Sequence, residues 1–155
     1  MKKILIILSV ILLTGCIRNK KELINNIELK NVNCKIITEI ESHDGFLNDG
    51  DYFAKMSCKK INKSSLSSNW KKLPLSEEIS KIIDMDFCDR KDCKNFYENY
   101  NVPIIKNGYY IFIDRHSLSN NKYDDSEIND RESYNFTIGI IDSDNNKIYY
   151  YELDT

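Results

Sequence analysis

The chain has 155 residues, 41% of them apolar and 30% charged, with a formal net charge of −2. Those proportions fit one soluble globular domain with a single core. No basic stripe interleaved with aromatics appears, so no nucleic-acid partner is expected.

Lys2 and Lys3 precede an apolar run from Ile4 to Leu13, broken only by Ser9. The run ends in Leu13-Thr14-Gly15-Cys16. It is too short to span a bilayer, which takes about 20 apolar residues. A basic start, a short apolar stretch and small residues before a cut site describe a secretory signal peptide over 1–15. An uncut membrane anchor is the alternative, but a Thr-Gly-Cys ending suits a peptidase and serves nothing in a helix. The pattern resembles that of bacterial lipoproteins. The resemblance implies that Cys16 becomes the lipidated first residue, fastening the protein to the extracytoplasmic face of the cell membrane. Loss of Lys2 and Lys3 leaves 20 basic against 24 acidic side chains, a net of −4. Such a body is not drawn to an anionic membrane by its overall charge; the lipid holds it there.

Apart from Cys16, four cysteines remain: Cys34, Cys58, Cys88 and Cys93. An even count outside the cytosol reads as two disulfides. Zinc fits less well, because only Cys88 and Cys93 stand close in sequence, whereas four-cysteine sites show two tight pairs.

Residues 16–31 read as the lipidated cysteine and a polar, Asn-rich tether. Leu23, Ile24 and Ile27 offer at most one apolar helical turn near its end. A single globular domain is expected over 32–155. From Val32 to Glu41 the period is two, with Val32, Cys34, Ile36, Thr38 and Ile40 on one face and Ile37 the exception. Residues 42–50 form a turn-rich loop. A second strand points Tyr52, Ala54, Met56 and Cys58 inward. Centring a hairpin on Phe46 pairs Ile40 with Tyr52, Thr38 with Ala54 and Ile36 with Met56. The same register opposes Cys34 and Cys58, within the span a disulfide accepts. A one-residue slip would turn one strand inside out. Cys34–Cys58 is therefore expected, and Cys88–Cys93 by elimination.

Residues 61–70 are Ser- and Asn-rich and end at Trp70. Ser76, followed by Glu77 and Glu78, predicts a capped helix that buries Ile79, Ile82 and Ile83 and ends near Asp84. A second short helix is expected over 91–100, with Cys93, Phe96, Tyr97 and Tyr100 at helical spacing, stopped by Pro103. Tyr109–His116 reads as a central strand, apolar on both faces at first. An acid-rich loop covers 117–132. Tyr134, Phe136, Ile138 and Ile140 then alternate inward. A hairpin centred between Asp144 and Asn145 pairs Ile140 with Tyr149, Ile138 with Tyr151 and Phe136 with Leu153. The expected fold is α+β: a single antiparallel sheet of about five strands in ββ-αα-βββ order, with helices on one face.

His43 and His116 are the two histidines. Asp114 and His116 can share a face of their strand and Arg115 cannot. His43, Asp114 and His116 are the candidate polar site: His116 as base or ligand, Asp114 as its orienter. Set against this is an ion-paired strand end, with Arg115 meeting loop acids. Asp142-x-Asp144-x-Asn146 opens like a calcium loop. Lys147 then takes the required Gly position, and Glu152 falls one residue short of the bidentate ligand, so a hairpin turn explains it better. Solvated charge is the reading for the acids near 44–51 and 124–132. No Gly-x-Ser-x-Gly elbow, phosphate loop or dinucleotide fingerprint is present. No cofactor, metal or catalytic residue is assigned.

Leu73-Pro74-Leu75-Ser76-Glu77, Gly108-Tyr109-Tyr110, Asp114-Arg115-His116-Ser117, Tyr134-Asn135-Phe136-Thr137-Ile138 and Tyr149-Tyr150-Tyr151-Glu152-Leu153-Asp154-Thr155 resemble segments of small uncharacterised lipoproteins of AT-rich Gram-positive bacteria. That group's first loop often has a histidine where Leu47 stands here. The resemblance implies a fold and an address, and no activity. The functional expectation is an envelope lipoprotein that binds a partner: another envelope protein, a toxin or a cell-wall component. The alternatives are a small hydrolase or metal-dependent site around Asp114 and His116, and an ion-sensing lipoprotein.

Overall fold

Alternating apolar residues build one antiparallel sheet of six strands. The computed structural model describes residues 19–42, 49–84 and 95–155. The expectations for residues 1–18, including Cys16, and for His43, Cys88 and Cys93 lie outside the described residues. The strands are β1 (Cys34–Glu41), β2 (Gly50–Cys58), β3 (Lys71–Lys72), β4 (Gly108–Asp114), β5 (Asn135–Asp142) and β6 (Lys147–Asp154). They lie in the order β1-β2-β6-β5-β4-β3. The described helices are α1 (Lys20–Asn26), α2 (Glu77–Asp84) and α3 (Phe96–Asn99). The α+β class and the single antiparallel sheet stand as expected. The added strand is the two-residue β3, which pairs Lys71 with Tyr110 and Lys72 with Tyr109. It is too short to leave an alternation in the sequence.

The last hairpin has the expected register throughout: Ile140 opposes Tyr149, Ile138 opposes Tyr151 and Phe136 opposes Leu153. Its turn is held locally. The Asp142 carboxylate accepts the Asp144 and Asn145 N–H groups, each at 3.1 Å, and Asn146 takes a positive φ. The first hairpin follows its expected register only as far as Ile36 and Met56. A bulge at Ile37 then shifts the pairing, so that Thr38 opposes Lys55 and Ile40 opposes Phe53. A bulge inserts one unpaired residue, which reverses every side chain beyond it. Ile40 therefore leaves the expected inward face and is 42% exposed, and Ile37 is 45% exposed. Cys34 and Cys58 lie before the bulge, directly opposed, with their sulfurs 2.04 Å apart in a disulfide.

Both faces of the sheet are covered, a correction to the expectation of helices on one face. Pairing of β2 with β6 puts Ala54 opposite Tyr150 and Phe53 opposite Tyr151. Tyr52, Ala54, Met56, Ile148 and Tyr150 pack with Leu23, Ile24 and Ile27 of the α1 segment. Phe53, Ile138, Tyr149, Tyr151 and Leu153 pack on the opposite side with Ile79, Ile82 and Ile83 of α2 and Phe96 of α3. The inward faces of the two expected hairpins thus point to opposite sides of one sheet. α2 matches its expected bounds, and its cap is Ser76 Oγ, which accepts the Ile79 N–H at 3.3 Å.

The folded unit begins earlier than Val32. Leu23 and Ile27 are 0% exposed, and Leu29 is also buried. Trp70 Nε1 donates to the Ile27 carbonyl at 3.0 Å. A Cβ placed on Gly139 would stand 3.0 Å from Ile27 Cγ2, so α1 lies tight on β5. The tether expected over 16–31 is thus a packed segment from Lys20 onward. Three apolar residues over little more than one turn carry too weak a period to show this in sequence.

Glu28 ends α1 with a positive φ of 56°. A non-glycine residue there is disfavoured by about 1 kcal/mol or more. Its carboxylate ties three segments together. It accepts Ser67 Oγ and Asn69 Nδ2 at 2.8 Å each, Lys122 Nζ at 3.3 Å and the Tyr123 hydroxyl. Burial would raise its pKa, but the hydrogen bonds from Tyr123, Asn69, Ser67 and Lys122 outweigh it and hold the group at about 2.

Two measurements follow. Ile27→Ala costs about 2–5 kcal/mol in urea unfolding, as a buried core truncation does, whereas Ile37→Ala stays within about 0.5 kcal/mol; equal small losses would restore the tether. A carboxyl whose folded pKa is depressed stabilises the fold above its ordinary value of 4.5 and gives up that contribution as the pH falls toward 2. The wild-type urea midpoint should drop more steeply across that interval than that of Glu28→Gln, and parallel profiles would contradict the assignment.

Candidate functional site

β4 carries buried side chains on both faces up to Asp114, and Asp114 itself is only 4% exposed. A buried carboxylate must be paired. Asp114 Oδ2 lies 2.8 Å from Arg131 Nη2, and Oδ1 accepts the His116 backbone N–H at 3.0 Å. Arg131 also donates from Nη1 to the His116 carbonyl at 3.0 Å. The Asp114 backbone N–H donates to the Lys122 carbonyl at 2.7 Å. One guanidinium therefore grips both the strand end and the turn after it.

Beside this pair is a cleft of about 240 Å³, lined among others by Ser117, Asp124, Glu127 and Asp130. Asp124 is held below the usual carboxylate range by the N–H of Ser126, and then by its hydroxyl. It is charged at neutral pH. The rim is acidic and its buried charge is already neutralised.

The expected partners are redistributed. Asp114 and His116 do meet, but through the His116 main chain. The His116 side chain is exposed and does not line the cleft. Arg115 points to the other face, as the strand period requires. Its Nη2 lies 3.0 Å from Glu152 Oε1, and it also donates to Asn135, Thr137 and the Phe136 carbonyl. Arg115 therefore meets a β6 acid instead of loop acids, and the loop supplies Arg131 to Asp114. Acting as a base, Asp114 would have to leave a buried ion pair, at a cost of several kcal/mol. Among the described residues no three His, Cys, Asp or Glu side chains stand close enough together to hold a metal ion.

A second polar cluster lies at the same end of the sheet. Asp51 of β2 accepts the hydroxyls of Tyr100 and Ser42, with the Tyr151 hydroxyl at 3.5 Å. Burial, and then Asp51, push both tyrosines well above the usual phenol range, so both remain hydrogen-bond donors. Phe53 stacks on Tyr100 with ring centroids 4.3 Å apart. Sequence reading missed Arg131 and this cluster. The one available signal for Arg131 was that it is the only arginine in an acid-rich loop that follows a strand-end aspartate.

Comparisons with family models, with curated proteins and with solved structures find no match.

Arg131→Ala strands the Asp114 charge and should cost about 3–5 kcal/mol in thermal or urea unfolding. His116→Ala should change stability by no more than about 0.5 kcal/mol. A larger loss at His116 than at Arg131 would show that the imidazole, not the guanidinium, holds this strand end.

Proposed function

We propose that the chain is a lipid-anchored protein of the extracytoplasmic face of the cell membrane, and that it acts by binding a basic envelope partner through its acidic end. The observation that carries the address is Cys34–Cys58, whose sulfurs stand at bonding distance in the described structure. Such a pair persists where thiols oxidise. It agrees with the export signal expected over 1–15, just before Cys16, and with the resemblance to small lipoproteins of AT-rich Gram-positive bacteria. Among the described residues no helix is long and apolar enough to cross a membrane.

The binding role is supported by the end of the sheet away from the Cys34–Cys58 pair. Glu39, Glu41, Asp49, Glu127, Asp130 and Glu132 are exposed there. Asp114 is committed to Arg131 and to main chain. Acids on a rim around a neutralised floor suit a basic protein surface better than they suit proton transfer. A toxin to be neutralised and a basic envelope protein fit this chemistry equally.

The address is tested by growing cells with labelled palmitate. The wild-type protein should carry label and sediment with membranes. Cys16→Ala should carry none, and label persisting in that variant would sink the assignment.

A further inference from the structure

Net charge hides how the charges are arranged. In this antiparallel sheet the starts of β1, β4 and β6 share one end with the finishes of β2 and β5. Around the Cys34–Cys58 end, Lys30, Lys35, Lys59, Lys60 and Lys63 are all exposed. Main-chain bonds set these segments side by side: Lys30 N–H donates to the Ser65 carbonyl at 2.9 Å, and Lys59 N–H to the Asn33 carbonyl at 3.0 Å. Lys20 and Lys21 of α1 join them, because they line a shallow cleft of about 490 Å³ with Lys30, Ile24, Leu29 and Val32. None of these seven lysines makes an ion pair with a described residue. The acids near them are Glu22 of α1, Glu28, which is paired with Lys122, and Asp142 and Asp144 at the β5–β6 turn. The opposite end carries the acids named above. Eight residues of strand separate the two ends by roughly 26 Å, about three Debye lengths at physiological salt.

We infer that the lysine-bearing end, Lys20, Lys21, Lys30, Lys35, Lys59, Lys60 and Lys63, seats on the anionic headgroups of the membrane that holds Cys16, so that the acidic end faces outward. The inference rests on the proposed anchor. Asn19, the first described residue, is three positions after Cys16. Three extended residues span at most about 11 Å. α1 is packed on the sheet, and its Lys20 and Lys21 share a cleft with Lys30 and Val32, so that short reach brings the basic end close to the lipid surface. A lysine near an anionic surface gains about 1 kcal/mol, roughly fivefold in partitioning. Several acting together fix an orientation that a single lipid on a long tether would leave free.

The test is lysine footprinting with an amine-reactive label on mature protein taken from its own membrane. The protein is placed in phosphatidylcholine vesicles with or without phosphatidylglycerol, and its N-terminal acylation is read by mass. The expected result is protection of Lys30, Lys35, Lys59, Lys60 and Lys63 on the anionic vesicles only, with Lys81 of α2 unchanged and the difference lost at high salt. In a variant with Lys35→Glu, Lys59→Glu and Lys63→Glu, protection at Lys30 and Lys60 should disappear while the Cys34–Cys58 bond is retained. Uniform labelling of an acylated protein overturns the orientation and leaves the anchor standing. If no acyl group is found the anchor reading fails, and selective protection on anionic vesicles still upholds the basic surface. Protection by a soluble anionic wall polymer, with none from vesicles, removes the membrane as its occupant.

Discussion

A sheet buried on both faces has few places to put charge. Residues at the centres of β4, β5 and β6 are enclosed above and below, and an unpaired ion there would cost several kcal/mol. Within the sheet, charged side chains stand at the strand ends, on the edge strands β1 and β3, and at Lys55 and Glu152, where Lys55 lies over the Tyr149 ring and Glu152 meets Arg115. Gly139 shows how close the cover is: any side chain there would press on Ile27, Ile111 and Trp70 at once. α1 is thus the second cover of the sheet, and two covers leave charge few positions besides the ends and edges.

That confinement organises the rest of the molecule. Where a charge does enter, it arrives with its partner, as Asp114 does with Arg131 and Glu28 with four donors. The edge strand β1 carries exposed Lys35, Glu39 and Glu41 and a bulge at Ile37, devices that discourage pairing with another chain. With lysines gathered at one end and acids at the other, a molecule of modest net charge presents two unlike surfaces. One suits anionic headgroups beside the lipid anchor proposed at Cys16, and the other suits the basic partner proposed above.

Local signals were legible in the sequence and non-local ones were not. α2 was readable because its cap, first-turn acids and three isoleucines lie within eight residues. The β5–β6 register was readable because Asp142 fixes the turn from within it. Cys34 opposite Cys58 followed from alternation alone, and the one irregular residue in that alternation, Ile37, is where the register shifts. The role of α1 was hidden, since Leu23, Ile24 and Ile27 acquire meaning only against Tyr150 and Trp70, far along the chain. Asp114 was readable as a notable strand-end acid, but its partner Arg131 lies across a loop whose path no short-range pattern dictates. Net charge gave no hint of polarity, because polarity belongs to strand order.

The central claim is that α1 closes one face of the sheet and is part of the folded unit. Native-state hydrogen exchange followed by NMR tests it most directly. The Leu29 N–H bonds to the Ile24 carbonyl at 3.0 Å and the Lys30 N–H to the Ser65 carbonyl at 2.9 Å. Both amides should exchange as slowly as those of β6, through global unfolding only. Exchange of Leu29 and Lys30 at the rates of an unstructured peptide, beside a protected β6, would show that α1 is not part of the fold.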